Sequence, residues 1–324
     1  MSLNDILNPG GLLQQIMEYI DINSPVSIPI FNLAAATTFL GAVAGQKFQT
    51  ETGLRTNLYS IALGFSGSGK NSPFATIPSL VLQTKAQAIL GPTELTSAAA
   101  IIKWLSLDNQ RVTLLMLDEI GLLLKGINYP NSYASEIPRI LIKLFSATDR
   151  SERKAYANKD SIFLPWHHLS FYGASTPDRF WESITPGEIA DGFLARILVW
   201  ENLDDAPFPK NIINQCKNKD IQNEINYIFS TKISHDMYLG NLAPVPIPNK
   251  IYMNKEAKKI ILNFSLKYHN LKNEYKNDSF GKSSIYGRCA EHAYKLSLIH
   301  WLSIGDKTSK ITEKSTEWAS STID

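Results

Sequence analysis

The chain has 324 residues, 44% of them hydrophobic and 19% charged, which is enough apolar material for one large domain or two smaller ones with a buried core. Its 32 basic and 30 acidic residues leave a formal charge of +2. That balance excludes attachment to nucleic acid by bulk charge, so any basic surface has to be local. Two distant cysteines, Cys216 and Cys289, exclude a zinc-ligand pattern and a disulfide framework; they read as small buried side chains in a reducing, cytoplasmic compartment.

Met1 to Pro9 is polar and carries no basic n-region, so it does not read as a secretory signal. Asn8-Pro9 suits a helix entrance, followed by Leu12, Leu13, Ile16, Tyr19 and Ile20 on one helical face. The apolar stretch Val26 to Gly45 contains Pro29, Asn32 and several hydroxyl or small residues and has no basic flank at its start. A buried helix over 31–45 is expected there rather than a membrane span. Strands are expected near 47–51 and at Asn57 to Leu63, then a helix from Ser72 to Lys85 that Pro78 should kink or divide. Thr96 or Ser97 can cap a helix running to Leu105. Arg111 to Leu117 reads as a strand buried on both faces. A helix over 134–147, hairpin strands near 153–164 and strands at His168 to Ala174 and Ile197 to Trp200 complete the pattern. Alternating short apolar strands and helices predict an α/β fold with a largely parallel sheet flanked by helices.

Past Asp204 the composition shifts. Pro207 to Lys250 has no clear period, and Pro244, Pro246 and Pro248 suggest extended chain. Helical patterns resume over 254–275 and 284–302, and 311–324 looks like a helix still in progress. Three units are expected: a helical segment at 1–46 packed on the core, a core at 47–208, and a smaller, lid-like helical domain at 209–324, truncated at its end.

The residues that carry chemistry begin with Gly64, Phe65, Ser66, Gly67, Ser68, Gly69, Lys70 and Asn71, one residue away from G-x-x-x-x-G-K-[ST]. Glycines let a backbone curl around a phosphate chain with its N–H groups inward, the following helix adds its positive end, and a lysine reaches the β- and γ-phosphates. Asn71 stands where a hydroxyl residue would face magnesium, and Ser72 could substitute only with a change of register. The strand Leu114 to Leu117 ends in Asp118 and Glu119. Asp118, with Asn71, could hold Mg2+, and Glu119 could orient or deprotonate the attacking water. The third strand ends at Ser175-Thr176, where Thr176, or next Ser175, could bond the γ-phosphate or the water; an ordinary capping turn is the alternative. Arg196, in Asp191-Gly-Phe-Leu-Ala-Arg196, sits among apolar residues and needs a partner: a neighbouring subunit's γ-phosphate, or Asp191. Arg288 could reach the nucleotide from the helical region or pair with Glu291. His167-His168 lacks a third ligand at useful spacing and reads as structural.

Taken together, the glycine loop, the Asp-Glu pair, the hydroxyl-ended strand, Gly-Phe-Leu-Ala-Arg196 and a helix opening with Arg288 resemble the AAA+-type P-loop ATPase domain of primase–helicase proteins of phages, plasmids and integrated elements. The likeness covers roughly 9–302. It implies ATP and Mg2+ as cofactors, Thr176 at the sensor position, Arg196 as an arginine finger of the minichromosome-maintenance-like type and Arg288 as second sensor. It also implies a homo-oligomer, a hexameric ring around DNA, with no membrane association. Asn71 departs from the family pattern, and no primase-like segment precedes the ATPase region. Single-stranded DNA would meet the stretch before the third strand, where Arg150, Arg153, Lys154 and Lys159 stand and related helicases carry a pore hairpin; a solvated charged loop is the other reading. A DNA replication helicase is the leading expectation. The alternatives are a switch or loader acting on a protein partner, and a nucleotide-binding scaffold with weak hydrolysis.

Overall fold

The computed structural model describes residues 1–107, 112–127, 133–146, 152–156, 159–164, 166–184, 192–212, 218–236, 245–276, 280–305 and 309–324, with only the backbone course for 152–156 and 159–164. Twelve helices occur among these residues. In chain order they are α1 (Leu3–Ile6), α2 (Gly11–Ile22), α3 (Pro29–Ala44), α4 (Ser72–Leu82), α5 (Ala98–Leu105), α6 (Ile120–Ile127), α7 (Ile137–Ser146), α8 (Pro177–Ser183), α9 (Lys219–Phe229), α10 (Lys255–Glu274), α11 (Phe280–Ile304) and α12 (Glu313–Ile323). The strands are β1 (Phe48–Thr50), β2 (Tyr59–Gly64), β3 (Val112–Leu117), β4 (Glu152–Tyr156), β5 (Lys159–Leu164), β6 (His168–Ser175), β7 (Ile197–Asn202), β8 (Ser234–Asp236), β9 (Val245–Ile247), β10 (Asn249–Met253) and β11 (Lys310–Ile311).

The central sheet has the order β3-β6-β2-β7, and every neighbouring pair in it is parallel. Side chains alternate across a strand, and here both faces are covered. Tyr59, Ile61 and Leu63 of β2, with Leu115, Leu117, Leu169, Phe171 and Ile197, enter one core with α5 to α8. Ala62, Leu114, Met116, Tyr172, Ala174 and Trp200 enter the other, with α2, α3, α4 and the C-terminal helices. This three-layer α/β arrangement explains why the strands read as continuous apolar runs.

Helix α3 lies on the second face, packed on all four strands of the central sheet. All fourteen residues from Phe31 to Ala44 are buried, which accounts for the apolar stretch at 26–45. Its hydroxyls are satisfied inside: Thr37 and Thr38 donate back to Leu33 and Ala34, and Thr38 also reaches Ser60 on β2 at 2.8 Å. No described helix is long and apolar enough to cross a membrane.

Several expectations change here. Helix α2 starts at Gly11, two residues past the Asn8-Pro9 entrance, with Gly10 as its cap. Helix α4 runs unbroken through Pro78; Ile77, Leu80 and Val81 are fully buried, and this packing offsets the backbone hydrogen bond that proline removes. The aperiodic-looking stretch 207–250 contains α9, capped by Asn218 and burying Ile221, Ile225 and Ile228. Ala257, Ile261, Leu296, Ile299 and Trp318 share one apolar core with α2 and α3, and β10 lies in parallel between β1 and β11.

Buried histidines stitch the helices together. His300 on α11 bonds Pro9 and Ser315 at 3.0 Å each and stacks on Trp318, and burial pushes its pKa down to about 4. His167 bonds the Leu105 carbonyl at 2.6 Å, and His168 meets Thr56 at 3.3 Å. Burial and the cations of Arg55 and Lys295 hold His168 well below the usual imidazole range. Both fit the structural role expected of them. Cys289 is a buried free thiol, pushed up by burial to about 11; Cys216 lies outside the described residues.

Candidate functional site

In a parallel sheet the loops that follow the strands gather at one edge. Register places three of them side by side. Leu63 pairs with Ser175 and Leu117 pairs with Gly173. The glycine loop after β2, the acid pair after β3 and Thr176 after β6 therefore leave the same carboxyl edge, with β6 between the other two strands.

The loop Gly64–Asn71 is built to curl. Gly67 and Gly69 hold φ of 79° and 86°, left-handed conformations that L side chains rarely adopt. A Cβ on Gly69 would lie 2.9 Å from the Val26 carbonyl oxygen, so the turn Ser24–Ile28 presses on the loop from outside. Ser72, the first residue of α4, donates its hydroxyl to that same carbonyl. It is therefore turned away from the loop interior and does not replace the hydroxyl that Asn71 lacks. Lys70 is 4% exposed, and its ammonium reaches back to the Phe65 carbonyl at 3.2 Å. Tyr172 of β6 donates to the Lys70 carbonyl at 2.9 Å and fixes the loop from below. Ser68 Oγ is buried without a hydrogen-bond partner. Positive-φ glycines and the start of α4 at the end of the loop are the features here that could hold an anion. Phe65 and Ser66 lie exposed at its mouth.

The loop and the acid pair touch. Asn71 Nδ2 lies 3.3 Å from Asp118 Oδ2. The Glu119 amide donates to Asp118 Oδ1 at 2.9 Å, and Glu119 itself sits at φ 50°, one of two described non-glycine residues with positive φ. A left-handed bend at this position redirects the chain from β3 into α6. The Glu119 carboxylate is paired with Arg179 Nη1 at 2.9 Å. Among the described residues no group of three or more His, Cys, Asp or Glu could hold a metal ion. Nucleotide-bound magnesium calls for no such cage, because it takes one or two carboxylates beside phosphate oxygens and water; Asp118 and Asn71 supply fitting oxygens. The acid pair also walls a cleft of about 430 Å³ with Glu94, Leu95, Leu122 and Leu123, and none of residues 64–72 lines it.

Thr176 is half-buried and caps α8 without using its side chain. Ser175 Oγ is buried, and a Cβ on Gly121 would lie 2.6 Å from it. Both hydroxyls considered from the sequence thus stand at the end of β6, Thr176 half-buried and Ser175 buried without a hydrogen-bond partner.

The two arginines lie elsewhere. Arg196 precedes β7, whose first residue pairs with Tyr59, the first residue of β2. It is thus at the amino edge, about 17 Å along the strand from Gly64 at ~3.3 Å per residue. It is 9% exposed, donates to the Gly192 carbonyl at 2.6 Å, and leaves Nε without a partner. Burial and the nearby Arg288 cation lower its pKa, against the pull of Glu291. Asp191, its alternative partner, lies outside the described residues. Arg288 is paired with Glu291 at 2.5 Å. One turn further on, Lys295 reaches Glu291 at 3.3 Å and Asn57 at 3.1 Å, its ammonium 3.5 Å from the Phe145 ring centre. Burial lowers Lys295 to about 8 even with Glu291 beside it. Of the two partners considered for Arg288 from the sequence, the structure shows Glu291.

The hairpin expected near 153–164 is present as β4–β5, antiparallel, with Arg153 opposite Phe163, Lys154 opposite Ile162 and Lys159 opposite Tyr156. Arg150 lies outside the described residues. Sequence reading missed Arg179 and Tyr172. Arg179 could have been noticed as the first basic residue after Thr176, three positions on.

A scan against protein-family models and a search of curated proteins found no match to this chain.

Proposed function

We propose that this chain is an ATP-binding and ATP-hydrolysing motor domain, built as an AAA+-like P-loop ATPase and acting on single-stranded DNA as part of a homo-oligomer, a hexameric ring on the resemblance. The observation that carries the ATPase reading is the 3.3 Å approach of Asn71 and Asp118, which brings a lysine-bearing glycine loop and an acid pair to one edge of one parallel sheet.

In this reading the loop amides and the start of α4 bind the β- and γ-phosphates, and Lys70 neutralises them. Asp118 and Asn71 would hold Mg2+, which would supply positive charge against that of the phosphates. Glu119 accepts a proton from the attacking water. The water oxygen bonds to the γ-phosphorus as the bond to the β–γ bridging oxygen breaks, releasing ADP and phosphate. Thr176 orients the water or the γ-phosphate. Arg196, remote from its own loop, serves the loop of a neighbouring subunit. The DNA role rests on the resemblance and on the basic residues of the β4–β5 hairpin, which would follow phosphates without reading bases.

The test is ATP turnover with and without single-stranded DNA. DNA should raise turnover several-fold, and Lys154→Ala combined with Lys159→Ala should return the stimulation ratio to one. An unchanged ratio in that variant sinks the hairpin assignment. Turnover that rises with a protein partner instead of DNA favours the loader reading. Tight ATP binding without turnover favours the scaffold, a reading supported by the amide at position 71.

A further inference from the structure

We propose that the stretch 203–212 of one copy docks in the groove between α10 and α11 of the next, so that copies join head to tail. The inference rests on the homo-oligomer part of the proposed function and names the surfaces that would build it.

Residues 203–212 follow β7 without helix or strand, and all of them are exposed. Phe208 is the extreme case, 95% exposed. It stands between Pro207 and Pro209, whose rings fix φ and favour an extended chain, and it follows Asp204 and Asp205. The stretch is tied down near its far end. The Lys210 amide donates to the Pro25 carbonyl at 2.9 Å, and its ammonium pairs with Asp21 at 2.7 Å. An aromatic ring held in water on a stiff, tethered segment gains by being covered and loses little entropy when it is.

The groove has the complementary character, with a volume of about 400 Å³. Leu262 and Leu266 stand one turn apart on α10, 67% and 58% exposed. Tyr286 and Gly287 of α11 line it too, and a Cβ on Gly287 would meet nothing closer than the Lys272 side chain at 3.5 Å. His269 and Lys272 also line it, and none of its lining residues is acidic. Proline-flanked, extended segments seat in aromatic-lined grooves, and Lys272 complements the charge of Asp204 and Asp205. The cleft beside the acid pair is the wrong host. Glu94, Asp118 and Glu119 line it and would repel those two carboxylates.

Position sets the sense of the contact. Asn202 pairs with Gly64, so the stretch leaves the carboxyl edge of the sheet. Helix α11 bears on the other edge, where His292 meets the Ala195 carbonyl at 3.1 Å just before β7 begins. Two unlike surfaces make a heterologous contact, which repeats from copy to copy and closes into a ring or runs on as a filament. The same sense turns the edge that carries Arg196 toward a neighbour's glycine loop.

Sedimentation velocity of the full chain over a range of concentrations, with and without Mg-ATP, tests this. The wild type should self-associate. Phe208→Ala and Leu266→Asp should each weaken association at least 10-fold and leave the melting temperature unchanged, because both side chains are exposed. Mixed together, the two variants should form a heterodimer that grows no further, since only the groove of the first and the segment of the second are intact. Wild-type association that neither variant weakens, or that only one of them weakens, overturns the inference and leaves the homo-oligomer standing. A wild-type chain that stays monomeric under every condition overturns the homo-oligomer reading, and this inference with it.

Discussion

Replacing Glu119 by Gln should lower ATP turnover by about 10²- to 10⁴-fold, the usual contribution of a positioned general base, while ATP still binds. The amide keeps the side chain's shape, so the left-handed bend at 119 and the start of α6 persist, and the melting temperature should stay close to wild type. Steady-state turnover alongside nucleotide retention on the isolated protein checks this. Turnover within a few-fold of wild type would remove Glu119 from the chemistry and leave its pair with Arg179 as a surface contact.

Arg196→Ala should have an effect at least as large. A trans arginine of this type contributes ~10³–10⁵ in rate, and the register of β7 on β2 leaves Arg196 unable to serve its own loop. Mixing therefore gives a sharp outcome. Arg196→Ala subunits retain a complete loop and Lys70→Ala subunits retain the arginine, so an interface that joins the loop of the first to the arginine of the second is whole. Each variant alone should be inactive, and the mixture should recover measurable turnover. No recovery from a mixture that forms mixed oligomers, together with a lowered melting temperature for Arg196→Ala, would identify the side chain as a structural member of the cluster with Gly192, Arg288 and Glu291.

The sequence made the α/β class and most of the candidate site legible because both rest on local patterns. The runs before Gly64, Asp118 and Thr176 are apolar on both faces, which only a covered parallel sheet uses, and the loop's glycines state their own conformational need. The helix containing Ile221, Ile225 and Ile228 was hidden because its polar face shares the Asn- and Lys-rich composition of its surroundings. Helix α6 was hidden because the bend that starts it is carried by Glu119, a residue type with no left-handed signature. For Arg288 the sequence left two partners open, and the one seen, Glu291, stands three residues on along the same helix.

The central claim is that the loop ending in Lys70 and the acid pair beside it enclose one triphosphate. Equilibrium binding of Mg-ATP to the wild-type chain and to Lys70→Ala measures this most directly. The account predicts saturable binding by the wild type and a loss of at least 10-fold in affinity on removing the ammonium, with an unchanged melting temperature in the absence of nucleotide. Equal affinity in the two proteins would contradict it.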